Sequence, residues 1–447
     1  MGCVEPGIRG SKSERGSILV IVLWVALGLV TIALYFANSM HYELTASDNR
    51  ANGTAADQAI EGAARYVTMI LANYATNGAV PTSDQFKCAG VSIGDARYWL
   101  IGRDPNASVN NPTAPVFGLV DEASKLNLNT ANTNALLYLP NMTEDFANAI
   151  MDWRGTNGIV SLDYTSLGYT AKNQPFETVD ELKLVYGSSQ ALLVGEDLNL
   201  NGVLDANEKD LNGNNQLDSG LLEYVTVYTR EPNFLLNGSA LTNVSNASAT
   251  LIKAVLQAAS VSSRYANDLT AQNYSGMLGF AMRCKTLGMS DTEFAAIYPY
   301  VTTKTGSYLR NRVNVNTASE AVLEAVIMGS NANMDQSTAE SAAESLVSYR
   351  QQNPQNLNSL MWVVDALGST SQALKALSGG DYLTTRSYQF TADIAAVGNY
   401  GRGYRRVRFV FDVSGGTPVI LYRQDLSRLG WALGDKVRQS LLANNSQ

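Results

Sequence analysis

An uncharged apolar run from Ile18 to Ala37 separates a short charged leader from a stretch in which apolar residues recur every three or four positions. Twenty residues without Asp, Glu, Lys or Arg are enough to cross a bilayer core of about 30 Å as one helix. Beyond the run, Ala56, Ala59, Ile60, Ala63, Ala64, Val67, Ile70 and Leu71 make one apolar stripe. The spacing predicts that the same helix continues into a soluble domain as far as about Tyr74. Gly53 is expected to weaken or bend it, at about 1 kcal/mol relative to Ala, and Gly78 and Pro81 to end it. Strands are expected at Ala96–Ile101 and Val116–Val120, parted by an Asn/Pro-rich turn from Pro105 to Pro115. Three more alternate near the chain's end: Ser387–Val397, Tyr404–Val413 and Pro418–Arg423. Gly398, Gly401 and Gly403 turn the first pair, and Gly415 and Gly416 the second. These late strands have no helical partner nearby, so they are expected to return and complete the early sheet. The middle of the chain then becomes an insertion.

That middle is helical and repeats itself. One copy opens on Leu126-Asn127-Leu128-Asn129-Thr130-Ala131, then runs through an apolar helix to Tyr138, a helix from Thr143 to Arg154 and another starting at Thr178. The second opens on Val313-Asn314-Val315-Asn316-Thr317-Ala318, with helices to Met328, from Asp335 to Arg350 and from Leu357 to Leu367. Thr178 with Glu181, Ser290 with Glu293, and Thr317 with Glu320 read as capping boxes. Between the copies, Tyr224–Thr229 reads as a strand of the main sheet. A tail from Leu426 reads as an amphipathic helix with Leu429, Leu433, Val437 and Leu441 on one face.

A chain of 447 residues is too long for one core. Its formal charge is -8, and without the first sixteen residues it keeps 29 basic and 38 acidic side chains. That balance disfavours nucleic acid and anionic lipid; Arg402, Arg405, Arg406 and Arg408 form the densest basic cluster, expected on strand faces. His41, the only histidine, lies just past the apolar run, so Ser-His-Asp, Cys-His and multi-His metal sites are excluded. Carboxylates are plentiful, but nothing singles out a general acid and base, and no enzymatic activity is expected. Cys88 and Cys284 would face an oxidising compartment if the chain is exported, where pairing is open to them.

The sharpest chemical signal is the twelve-residue stretch Asp197–Glu208. Calcium takes six to eight oxygens, supplied in such a loop from positions 1, 3, 5, 7, 9 and 12. Here those are Asp197, Asn199, Asn201, the Val203 carbonyl, Asp205 and Glu208, with Gly202 at the sharp turn. A degenerate copy follows with Asp210, Asn212, Asn214, the Gln216 carbonyl and Asp218, but Leu221 stands at position 12. Only Lys209 separates the loops, which excludes a paired EF-hand and points to structural calcium that pins this connection to the helical domain.

The repeated Asn-x-Asn-Thr-Ala element resembles the start of the helix-hairpin-helix domains of DNA-binding competence receptors. Those need glycines in the hairpin so that N–H groups reach phosphate. Copy one has Leu139-Pro140-Asn141-Met142-Thr143 there and copy two only Gly329. The Asn residues are therefore expected to tie down the extended segment, and nucleic acid is not an expected partner.

Gly16-Ser17 precedes the apolar run, whereas a secretory signal is cut after it. Its placement resembles the class III leader of type IV pilins, cut by a prepilin peptidase after glycine; an uncleaved signal anchor is the alternative. With Asp121–Ala131, Asn314–Ala318 and the calcium loop ahead of Thr226–Thr229, the chain resembles the minor pseudopilin K family of type II secretion systems (GspK). The resemblance implies an α+β fold: a pilin-like long N-terminal helix on a small antiparallel sheet, with two inserted helical domains (SAM-like, helix-hairpin-helix-like). It divides the chain into a leader (1–16), a membrane helix (17–40) and a first sheet part (41–120). A helical domain (121–222) follows, with the calcium loops at 197–221, then a sheet strand (223–230). A second helical domain (231–385), the closing strands (386–425) and a tail (426–447) complete it. The implied role is a tip subunit of the pseudopilus in the inner membrane, its bulk in the periplasm. The implied partners are minor pseudopilins I and J, the prepilin peptidase and the inner-membrane assembly platform. Ile21 stands where most pilins carry a glutamate that meets the amine of a neighbouring subunit. Its lack of charge suits a subunit with nothing above it. A minor pilin of a related type IV or DNA-uptake filament is the other reading.

Overall fold

The computed structural model describes residues 2–3, 15–106, 114–156, 162–270 and 272–443. Leader residues Glu5, Arg9, Lys12 and Glu14, and much of the Pro105–Pro115 turn, lie outside them. Helix α1 (Arg15–Tyr74) is a single 60-residue rod, about 90 Å long at 1.5 Å per residue. Among the described residues its first half packs against nothing: Ile18, Ile21, Trp24 and Phe36 are all exposed. One helix in the described chain, beginning at Ile18, is long and apolar enough to cross a membrane. The second half is amphipathic as expected, and all eight stripe residues from Ala56 to Leu71 are buried.

That stripe lies on one face of a six-stranded sheet. Its strands are β1 (Val91–Ile93), β2 (Ala96–Ile101), β3 (Val120–Asp121), β4 (Gln389–Val397), β5 (Arg405–Asp412) and β6 (Val419–Asp425). β4 is buried along its whole length because both of its faces are covered, by the α1 stripe on one side and by residues near the chain's end, among them Leu433 and Leu441, on the other. It pairs antiparallel with β2 and β3 on one side and with β5 on the other, and β5 pairs with β6. The late strands therefore do complete the early sheet, and residues 122–388 are inserted between β3 and β4. Phe390, Ala392, Ile394 and Ala396 face α1, and alternate residues of β4 face away, as the period of two requires. The strand expected at Val116–Val120 is shorter: Phe117 makes one bridge to Ile101, and pairing proper begins at Val120.

Gly53 does not interrupt α1. It sits where the β4–β5 turn meets the helix, and a Cβ on Gly403 would lie 2.4 Å from the backbone of Asn52 and Gly53. Gly403 also has φ +69°. Gly403→Ala is expected to destabilise the fold by about 2–3 kcal/mol. Gly415→Ala, with open space around it, should be near neutral. Denaturant unfolding of the detergent-solubilised chain checks both.

The insertion contains three strand–helix modules rather than two. Leu126–Asn127 pairs in parallel with Val225–Thr226, Thr242–Asn243 with Val301–Thr302, and Val313–Asn314 with Leu383–Thr384. Tyr224–Thr229 is thus no strand of the main sheet; its paired part closes the first module, because Leu126 and Leu128 donate to the Tyr224 and Thr226 carbonyls. The opening segments superimpose in their bonding. The Oδ1 of Asn127, Asn243 and Asn314 each accepts from the backbone N–H two residues on. Asn132, Ser248 and Ser319 each cap the following helix, α2 (Thr133–Leu137), α5 (Ala249–Ala258) or α8 (Glu320–Ser330). Thr317 is accordingly not a cap: its hydroxyl donates to the buried Asp121 carboxylate. The Thr178–Glu181 and Ser290–Glu293 boxes do form, although the first opens a 3-10 turn (Val179–Leu184) instead of an α-helix. All three modules share one apolar core, separate from the α1 face of the sheet.

Module three anchors on β3, where Asp121 accepts from Asn314 Nδ2 (2.9 Å) and Ser387 Oγ (2.6 Å), and module one on the neighbouring Glu122, which accepts from Thr226 Oγ1 and from Thr391 Oγ1 of β4 (2.6 Å). Burial pushes the Asp121 carboxyl up to about 6, against these donated bonds. Cys284 is buried in the helical core while Cys88 lies beside the sheet core. Both are free thiols. The tail helix α12 (Gly434–Ala443) starts later than Leu426 and packs on the outer sheet face through Leu433 and Leu441; Leu429 stays exposed in a preceding turn.

Candidate metal centre

The Asp/Asn-rich loops lie between the first module and the outer face of the sheet. Their base is clamped where α4 (Gln190–Val194) ends: Gly195 pairs with Ser219, and Glu196 N–H donates to the Asp218 carbonyl at 3.0 Å. Gly195, at φ +67°, has no room for a Cβ, which would fall 2.3 Å from that carbonyl.

Within the first loop, the Asp197 carboxylate accepts from the N–H groups of Asn201 (2.9 Å) and Gly202 (2.8 Å). Glu208 accepts from Asn199 N–H (3.1 Å) and Asp205 N–H (3.0 Å). The two ends of the loop thus fold over its middle. Gly202 turns at φ +80° and leaves room for Arg103, whose guanidinium would lie 3.0 Å from a Cβ there. Asn199 and Asn201 both donate through Nδ2 to Asp205 Oδ2. Asp197, Asn199, Asn201, Val203 and Glu208 are all buried. Burial pushes the Asp197 and Glu208 carboxyls up, with Arg103 opposing it at Asp197. Asn199 Oδ1 is buried and has no hydrogen-bond partner among the described residues.

These residues fit a hard cation. A cation would restore to Asp197 and Glu208 the charge stabilisation lost with water, and would take the stranded Asn199 oxygen as a ligand. Among the described residues no three His, Cys, Asp or Glu side chains gather into a metal cluster. The loop's donors instead mix carboxylates with amide and backbone carbonyls, the pattern that suits Ca²⁺ rather than zinc.

The second loop repeats the pattern nearer the solvent. Asp210 accepts from Gly213 N–H (2.6 Å) and Asn215 N–H (2.7 Å), and these bonds, Asn215 first, hold its carboxyl low. Asn212 and Asn214 donate to Asp218 Oδ2, and the Gln216 N–H donates to Asn214 Oδ1. What Leu221 lacks comes from elsewhere. Glu196, buried one residue before the first loop, accepts from Leu211 N–H and from Asp218 N–H (3.0 Å). It stands to this loop nearly as Glu208 stands to the first. The only signal for it in the sequence was an acid beside Gly195, at no loop position.

The ring of contacts around the first loop alters one expectation. Rather than being held to the helical domain alone, the loop bridges to the sheet. Arg406, fully buried on β5, donates to the Asn199 carbonyl and to the Leu200 carbonyl (2.8 Å). It also pairs with Asp393 of β4 (2.7 Å), which Arg408 reaches at 2.9 Å. Burial alone would push the Asp393 carboxyl up; the two guanidinium groups outweigh it and hold it well below the usual carboxylate range. Arg103 at the end of β2 pairs with Glu223 (2.7 Å) and donates to the Leu200 carbonyl (3.2 Å).

The Asn-x-Asn elements work as ties. Asn129 exchanges two hydrogen bonds with the Phe176 backbone, and Asn316 bonds the Leu357 carbonyl and the Trp362 indole N–H. Arg154 and Arg350 donate to the carbonyls of Leu128 and Ala131 and of Val315 and Ala318, respectively. Gly329 ends up where α8 meets α2, since a Cβ there would lie 2.6 Å from that of Ala135; it serves helix packing. The helix continues through Gly16 and Ser17, and Ile21 is exposed on the free half of α1. No protein-family model matches this chain, and no curated protein matches it.

Proposed function

We propose that this protein is a minor pseudopilin that caps or initiates the pseudopilus of a type II secretion system, a structural subunit rather than an enzyme. The observation that carries the reading is α1. One continuous rod presents an exposed apolar half and lays its other half on an antiparallel sheet. Such a rod suits lateral packing with like helices in a membrane-rooted filament. The 267 residues inserted between β3 and β4 form bulk that a stacked neighbour would have to clear, and Ile21 places no acid where a neighbour's amine would be needed. Both favour a terminal position. On this reading a prepilin peptidase cuts between Gly16 and Ser17 and the chain sits in the inner membrane, its bulk in the periplasm. Its partners are minor pseudopilins I and J and the assembly platform. Calcium is structural, held by Asp197, Asn199, Asn201, the Val203 carbonyl, Asp205 and Glu208. A second ion would use Asp210, Asn212, Asn214, the Gln216 carbonyl and Asp218, with Glu196 in place of the missing twelfth ligand.

Mass spectrometry of the mature N-terminus tests the reading. A chain beginning at a methylated Ser17 and copurifying with two other minor pseudopilins is the expected result. An intact leader would refute it.

A further inference from the structure

The two amides of the first loop reach beyond it. Asn199 Nδ2 donates to Asp205 Oδ2 (2.6 Å) and also to the Trp431 carbonyl (3.2 Å). Asn201 Nδ2 donates to Asp205 Oδ2 (2.9 Å) and to the Ala432 carbonyl (3.3 Å). Trp431 and Ala432 lead directly into α12. The tail from there is held by Ala432, Leu433 and Leu441 against Trp99, Ile101, Ala395 and Val397 on the outer sheet face. The second loop supplies an internal comparison: Asn212 and Asn214 bond Asp218 in the same way, yet both are exposed and, among the described residues, donate to nothing in the tail. Among the described residues, the bonds from loop amides to the tail come from the buried loop.

We propose that cation occupancy of the first loop and docking of residues 431–443 form one coupled equilibrium. This rests on the calcium reading of that loop. An Asn side chain has one oxygen face and one N–H₂ face. If Oδ1 of Asn199 and Asn201 serves the cation, each Nδ2 is committed to the opposite side, where the Trp431 and Ala432 carbonyls lie. Without the cation one bond in the loop orients the Asn199 amide, Nδ2 to Asp205 Oδ2; its Oδ1 has no partner among the described residues, and the cation would supply the second hold. Turned over, that amide sets an oxygen against the Trp431 carbonyl. The tail feels the difference because a helix of ten residues has little stability of its own and orders only where it is docked. Coupling is reciprocal, so docking of the tail tightens the loop's hold on its cation by the same factor.

Hydrogen exchange of residues 434–443 in the full-length, detergent-solubilised chain, in excess Ca²⁺ and in chelator, tests this without any substitution. Exchange at least about fivefold slower with Ca²⁺ is expected. The reciprocal arm measures Ca²⁺ affinity of a Leu433→Asp/Leu441→Asp chain, which should fall by a similar factor. Wild-type chain that binds Ca²⁺ with no change in tail exchange would overturn the coupling and leave the calcium reading intact. Wild-type chain that binds no Ca²⁺ would overturn both.

Discussion

Arg406→Met is expected to destabilise the folded chain by about 3–5 kcal/mol, the range for breaking a buried ion pair from one side. Arg406 and Asp393 are 0% and 2% exposed, so water cannot replace the lost guanidinium. Arg408 would remain as Asp393's cationic partner, which sets the expectation toward the lower end. The same substitution takes the Arg406 donor from the Asn199 carbonyl, leaves the Leu200 carbonyl with Arg103 and loosens the loop from the sheet. Denaturant unfolding measures the loss; a change below about 1 kcal/mol would contradict this account of the junction. The pair also sets a pH dependence. Asp393 has a depressed folded-state pKa, so its contribution is present above the unfolded value of about 3.9 and is lost as pH falls toward and through the folded value. Acid unfolding of the wild-type chain should therefore be steeper than that of Asp393→Asn, which lacks the group.

Excess Ca²⁺ is expected to stabilise the chain by about 2.7 kcal/mol per site at a concentration one hundred times the dissociation constant. Asp197→Ala should remove the first loop's share, because Asp197 both offers an oxygen and holds the turn by bonds to Asn201 and Gly202. Glu196→Gln should instead weaken the second loop, leaving Asp197-dependent stabilisation in place. Differential scanning calorimetry with Ca²⁺ and with chelator separates the contributions. Identical unfolding under both conditions in the wild-type chain would rule out structural calcium.

Much of this architecture was legible because it depends on near neighbours. The helical stripe from Ala56 to Leu71 is set by a period of 3.6, and the late strands by a period of two and their glycines. The twelve-residue spacing of Asp197–Glu208 was readable for the same reason. Readings failed where a distant group took over a local role. Thr317 reads as a cap, but the buried Asp121 carboxylate competes for its hydroxyl, and Ser319 takes the position. Tyr224–Thr229 alternates like a sheet strand, yet it pairs with Leu126–Asn127. The middle module is hidden in the sequence because Thr242-Asn243-Val244-Ser245-Asn246-Ala247 keeps the bonding of its counterparts with only part of their spelling. Backbone N–H groups need an oxygen at a given place, and Ser serves as well as Thr or Asn.

The sequence by itself determined a membrane-length apolar rod continuing into an amphipathic helix, a sheet closed by the chain's last strands, and a loop with calcium spacing. Only the tertiary structure decided which surfaces meet that loop: the Arg406–Asp393 pair, Arg103, Glu196 from outside the motif, and the carbonyls of Trp431 and Ala432. The physical reason is range. Periodicity and spacing act within a few residues along the chain, whereas a buried charge, an amide oxygen without a partner among the described residues or a glycine with no room for a Cβ gets its meaning from groups more than 200 residues away, as Asn199 does from Trp431, 232 residues on.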